Sequence, residues 1–162
     1  MTVAQNQKLS IFGIKGGLNR SVISGKQLDG TETGFIGVEI YGSISLDTEL
    51  SSRWRFENEL LISWTDEYYF LEIPLRFKHE TFERVFFTAG PKIDMVLNND
   101  DETYDFNNFG VSLELGAQYM LTKRIISEFR YSHGLITQIN DIVLDIYDGR
   151  RNTLRFGLGY RL

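Results

Sequence analysis

Apolar and polar residues exchange places at nearly every step of this chain. The cleanest stretch is residues 109–121, where Phe109, Val111, Leu113, Leu115, Ala117, Tyr119 and Leu121 alternate with Ser112, Glu114, Gly116 and Gln118. A strand points successive side chains to opposite faces, so a period of two builds a sheet with one greasy face and one polar face. Sustained helical periodicity is hard to find. The chain closes on LRFGLGYRL, with Leu154, Phe156, Leu158, Tyr160 and Leu162 on one side and Arg155 and Arg161 on the other.

Eight such segments can be read. Phe12, Ile14 and Leu18 oppose Lys15, and Ile36, Val38, Ile40 and Ile44 alternate with Gly37, Glu39, Tyr41 and Ser43. Trp54, Phe56, Leu60, Ile62 and Trp64 alternate with Arg55, Glu57, Glu59 and Ser63, and Tyr69, Leu71, Ile73, Leu75 and Phe77 with Glu72, Arg76 and Lys78. Val85, Phe87, Ala89, Ile93 and Met95 oppose Thr88, Gly90, Lys92 and Asp94. After residues 109–121, Ile125, Phe129, Tyr131 and Leu135 face away from Glu128, Arg130 and Ser132, and the closing strand follows. The connections alternate in length. Residues 47–52, 79–84 and 122–124 read as short polar turns, whereas 19–34, 97–108 and 137–152 read as long loops, with 65–68 short among them. Short turns on the periplasmic side and long loops outside are the asymmetry of an outer-membrane barrel, and an even strand count puts both termini on the periplasmic side.

The chemistry of the two faces decides which one is wet. The polar face carries Lys15, Arg55, Arg76, Lys78, Lys92, Arg130, Arg155 and Arg161 against Glu39, Glu57, Glu59, Glu72, Asp94, Glu114 and Glu128. Signs this nearly balanced suit charges confined in a narrow lumen, where an unpaired ion costs several kcal/mol. The apolar face is bulky and aromatic, and packing it inside a small closed barrel would overfill it. The expectation is therefore an all-β, eight-stranded antiparallel up-and-down transmembrane β-barrel with a polar, side-chain-filled lumen, an ion-pair plug and not an open pore. Residues 1–8 form a periplasmic tail and 9–162 the barrel. Trp54, Trp64, Tyr69, Tyr119, Tyr131 and Tyr160 are expected at the membrane interfaces. A soluble lipocalin-like barrel carrying a small apolar ligand, with the faces exchanged, is the structural alternative. Pro74 and Pro91 are expected at bulges or local breaks, because a closed barrel has no free edge for a residue lacking a donor.

Composition agrees by exclusion. The 162 residues fit one domain. A mean hydropathy of -0.20 does not exclude a barrel, since lumen-facing residues dilute it. No run approaches the roughly 18–20 apolar residues of a membrane helix. Cysteine is absent, which removes disulfides and thiolate metal sites. A net charge of -5 with no basic run argues against nucleic acid. The opening MTVAQNQKLS lacks the charged and apolar regions of a signal peptide, so the chain reads as a mature form with an added start.

Several stretches carry a resemblance. FGIKGGLNRS at 12–21, YFLEIPLRFKHE at 69–80, FFTAGP at 86–91, FGVSLELGAQYML at 109–121, FRYSHGL at 129–135 and the closing LRFGLGYRL resemble the small outer-membrane β-barrels of Bacteroidota labelled PorT-like. The resemblance spans the chain and implies an eight-stranded barrel inserted in the outer membrane. The final Leu162 departs from the Phe that commonly ends such barrels. Namesake members serve type IX secretion, an activity the resemblance does not carry over.

Catalytic and metal candidates are sparse. Ser132 and His133 fall on opposite faces, which spoils a nucleophile and base pair within one strand, so His133 reads as an interfacial residue and His79 as a solvated turn residue. Asp100, Asp101, Glu102 and Asp105 offer oxygen donors without the spacing or glycine of a calcium loop. DGRR at 148–151 suits pairing with that loop or with lipid phosphates, or an ordinary turn. GIKGG at 13–17 lacks the Lys and Ser/Thr of a phosphate loop, and its glycines ease strand curvature. The expected function is a non-enzymatic outer-membrane protein without cofactor, catalytic residue or metal. Its expected partners are outer-membrane lipid and an envelope protein met through 19–34, 97–108 and 137–152. A lipid-modifying enzyme is the alternative.

Overall fold

The computed structural model describes residues 9–64, 69–97, 109–141 and 146–162. They form β1 (Ser10–Lys26), β2 (Glu32–Glu49), β3 (Trp54–Trp64), β4 (Tyr69–Phe82), β5 (Val85–Val96), β6 (Phe109–Met120), β7 (Ile125–Gly134), β8 (Ile139–Asp141) and β9 (Ile146–Arg161). Each strand pairs antiparallel with the next from β1 to β7, β7 pairs with β9, and β9 pairs back onto β1. These eight strands close a barrel, and the three-residue β8 lies outside the ring against the early part of β9.

Closure sets the faces as the alternation requires. Odd positions of β1 and β2 point inward, even positions of β4 and β5 do likewise, and the residues between them face out. Phe12, Leu18, Val38, Phe77, Leu115 and Phe156 are each more than half exposed on the outer wall, whereas Arg76, Arg130 and Lys92 are fully enclosed. This inverts a soluble core, and it is the arrangement that hydrocarbon selects. A few apolar side chains also point inward, among them Leu61, Phe70, Phe86 and Ile126.

The strands outrun their apolar bands, which corrects the loop boundaries. The connection expected over 19–34 shrinks to 27–31, because β1 and β2 stay paired from Asn19↔Glu39 to Lys26↔Glu32. Likewise 137–152 contains β8 and the start of β9, and β2 and β4 run into the turns expected at 47–52 and 79–84. Beyond the hydrocarbon both faces meet water, so hydropathy alternation fades while the backbone ladder continues. Residues 1–8, 65–68 and 98–108, with the acidic stretch 98–105, lie outside the described residues.

The prolines sit where pairing lapses without a change of register. The β3–β4 ladder jumps from Asn58↔Leu75 to Leu61↔Glu72, passing Pro74, and the β4–β5 ladder jumps from Pro74↔Lys92 to Phe77↔Ala89, passing Pro91. Each proline keeps its partner on the other side, with Pro91 facing Leu113. The missing donors thus produce local breaks and no bulge.

Candidate functional site

The lumen is the most densely built part of the molecule. Toward the periplasmic end, Glu57 accepts hydrogen bonds from Lys15 at 2.6 Å and Lys78 at 2.9 Å, and also from Arg76. Glu59 takes Arg76 at 2.5 Å and Arg130 at 2.8 Å. Arg130 also reaches Glu128 at 2.7 Å and Glu114 at 3.2 Å, and Lys15 meets Glu128 at 3.2 Å. Toward the outer end, Glu72 gathers Arg155 at 2.8 Å, Lys92 at 2.9 Å and Arg151 at 3.2 Å, while Arg151 holds Glu39 at 2.6 Å. Asp94 lies 3.9 Å from both Lys92 and Arg151. The two halves meet where Arg155 stands 3.9 Å from Glu114.

Aromatic side chains separate the layers. The Arg151 guanidinium stacks 3.7 Å from the Phe70 ring centroid, and Tyr41 lies under Arg155 at 4.8 Å while donating to Glu128 at 2.9 Å. A planar guanidinium can stack and donate in its plane at once, so one arginine serves both roles. Charge-assisted hydrogen bonds are the strong class, and here they tie side chains of different strands together across the bore.

Of the fifteen polar residues expected in this network, thirteen are buried: Lys15, Glu39, Glu57, Glu59, Glu72, Arg76, Lys78, Lys92, Asp94, Glu114, Glu128, Arg130 and Arg155. Arg55 and Arg161 sit instead at the periplasmic mouth, partly exposed, Arg55 3.6 Å and Arg161 3.9 Å from Asp47. Two members were missed. Arg151 fell in an expected loop and Asp47 in an expected turn, yet each shares the inward parity of its strand. Asp47 binds Lys78 at 2.7 Å.

The six expected interface aromatics all face out. Trp54, Tyr119 and Tyr160 stand toward the periplasmic end, and Trp64, Tyr69 and Tyr131 toward the outer end, with Trp64 opposite Tyr69 in register. Tyr160 accepts a hydrogen bond from Arg124 at 2.9 Å. His79 belongs to β4 and not to a turn, with its ring 4.6 Å from that of Trp54. Ser132 points inward to Thr153 while His133 points out. Among the described residues, no group of three or more His, Cys, Asp or Glu is arranged to hold a metal ion.

A ring of strands with oily outer walls and an ionic interior is a membrane barrel, and the sequence profile that matches residues 1–161 is that of the outer membrane protein beta-barrel domain. The chain belongs to that family. Its place is the bacterial outer membrane. Solved barrels of similar fold include Neisserial surface protein A, 13% identical, with a TM-score of 0.57, covering 93% of this chain and 97% of that one. Ail, the attachment invasion locus protein of Yersinia pestis, is 12% identical with a TM-score of 0.56, covering 94% and 99%. The N-terminal barrel of Pseudomonas aeruginosa OprF is 10% identical with a TM-score of 0.54, covering 96% and 100%. At these identities the likeness is one of fold. No curated protein matches the sequence.

Proposed function

We propose that this outer-membrane barrel is a non-enzymatic surface-interaction or envelope-complex component and not an open pore. The plug carries the reading: buried side chains of both signs, in mutual contact, fill the lumen from Asp47 to Glu39. An open channel needs walls that water can line, whereas these charges are already partnered across the bore. The outer end is extended to match. β1 and β2 run for 17 and 18 residues, against roughly 9–11 for a tilted crossing, so both project beyond the membrane surface. The Ail barrel, an attachment invasion locus protein crystallised with the heparin analogue sucrose octasulfate, supports a recognition role for a barrel of this size. The separation of Ser132 from His133 supports a non-catalytic role. The motif resemblance supports a PorT-like assignment among Bacteroidota barrels, with outer-membrane lipid and an envelope protein as partners.

Purified protein in planar bilayers is expected to give no steady conductance, and stable large channels would overturn the plugged reading. Copurification from native membranes under mild detergent tests recognition. A partner retained by the wild type and lost when the 27–31 turn is replaced by Asn-Gly is the expected result; identical profiles would count against the outer end.

A further inference from the structure

Between Trp54 and Trp64, which stand at the two ends of the apolar band, the outward positions of β3 are Phe56, Asn58, Leu60 and Ile62, and Asn58 alone is polar. Its register partners, Leu46 on β2 and Leu75 on β4, are apolar too. At about 3.3 Å per residue along a tilted strand, Asn58 sits roughly 10 Å inside the periplasmic edge of the band and roughly 15 Å from the outer edge. It is half-buried, and its amide makes no hydrogen bond among the described residues. The side chain is too short to reach either interface, as a lysine or arginine would. An amide left unpaired in hydrocarbon is costly, because lipid tails offer neither donor nor acceptor.

The wall around Asn58 is shaped for contact. An open depression of about 300 Å³ surrounds it, walled by Phe12, Ile44, Leu60 and Ile73 among others. Beneath it the β3–β4 ladder lapses between Asn58↔Leu75 and Leu61↔Glu72. In the phase set by the Glu80 N–H on the Arg53 carbonyl, the Glu59 carbonyl faces Pro74, which has no N–H to give. Beside the depression Gly16 stands opposite Gly42, both with outward parity, and a Cβ on Gly42 would meet nothing within 4 Å. Another backbone can approach this face closely, as at the small-residue contacts of membrane helices.

We propose that this chain forms a two-fold dimer in the outer membrane through the outer wall of β1–β4, with Asn58 of one copy hydrogen-bonded to Asn58 of the other. An amide carries both donor and acceptor, so two asparagines satisfy each other with a pair of bonds. All copies insert in the same direction, so the two-fold axis lies along the membrane normal and returns Asn58 to Asn58 at equal depth. A lipid chain cannot supply those bonds. An unrelated protein would need a matching amide at that depth, which a second copy brings without further condition. The inference rests on the membrane placement alone and goes beyond the recognition role above, which a monomer would serve equally.

The test uses the full chain, whose lack of cysteine makes an introduced one unique. Sedimentation equilibrium in density-matched detergent measures association, and heat-modifiable gel mobility verifies that each variant is folded. Wild type should dimerise, Asn58→Leu should dimerise about tenfold more weakly, and Asn58→Gln, which keeps the amide, should stay near wild type. Asn58→Leu puts an apolar side chain in lipid and should leave the monomer folded; Gly42→Leu, which blocks close approach, is read for the same loss. In outer membranes, Leu60→Cys treated with a short bismaleimide should give a band of twice the monomer mass, and Phe129→Cys on β7, across the barrel, should not. A wild type that sediments as a monomer, or an Asn58→Leu variant that dimerises as tightly as wild type, would overturn the proposal. So would a Leu60→Cys adduct with a different protein, which would assign the face to a foreign partner, or no adduct at all, which would leave it to lipid.

Discussion

Glu72 shows what a single side chain does here. It is fully buried with Arg155, Lys92 and Arg151 all within 3.2 Å, so one carboxylate stands in contact with three positive groups. Removing one partner of a buried ionic cluster leaves uncompensated charge in a poorly solvated place. Glu72→Ala is therefore expected to lower stability by about 3–5 kcal/mol in urea unfolding from lipid vesicles, and a loss below about 1 kcal/mol, the level of an exposed pair, would mean the lumen is wetter than its geometry implies. Asp29, in the exposed β1–β2 turn, offers a contrasting case. Its carboxylate accepts the Thr31 backbone N–H at 2.8 Å, which holds its pKa below the ordinary value. The sign follows: the turn's hydrogen bond is intact at and above the usual aspartate range and is lost as pH falls through the lowered value. A carbon-detected titration should place the Asp29 midpoint below about 3.9, and a midpoint at or above that would remove the bond.

At the scale of the strand, the β4–β5 seam is the tightest test of the ladder. A Cβ on Gly90 would lie 1.9 Å from the Leu75 carbonyl oxygen, at the break that Pro91 creates, whereas a Cβ on Gly42 would meet nothing within 4 Å. Gly90→Ala is expected to reduce the folded fraction sharply on refolding into detergent, with Gly42→Ala close to wild type. Equal yields would show that the backbones can separate there without penalty. The same elements show how far the sequence could be read. Parity assigned Lys15, Glu57, Arg76 and Arg130 to one face correctly, because a strand has only two faces and the residues between them were plainly apolar. Strand ends were misjudged because the ladder needs hydrogen-bonding partners and no hydropathy, so Asn19–Lys26 looked like loop while pairing with β2 throughout. Arg151 was lost for that reason alone. The inward Phe70 had no signal in alternation, since its purpose is set by the guanidinium that stacks on it from a strand 81 residues away, and only closure brings the two together.

For the whole molecule, the relevant quantity is the balance of charge inside the tube. Buried pairs are screened far less than exposed ones, so the unfolding midpoint should move little between about 0.1 M and 1 M salt. A steep decline would indicate that ions enter the bore. The seam between β1 and β9 has a further consequence. Lys15 finds Glu128 across 113 residues of chain and Arg151 finds Glu39 across 112, so these charges meet only when the first and last strands join. A half-rolled sheet would offer bare ions to the acyl chains. Insertion must therefore follow sealing or coincide with it, making assembly a single concerted passage from the aqueous boundary in which no strand enters alone.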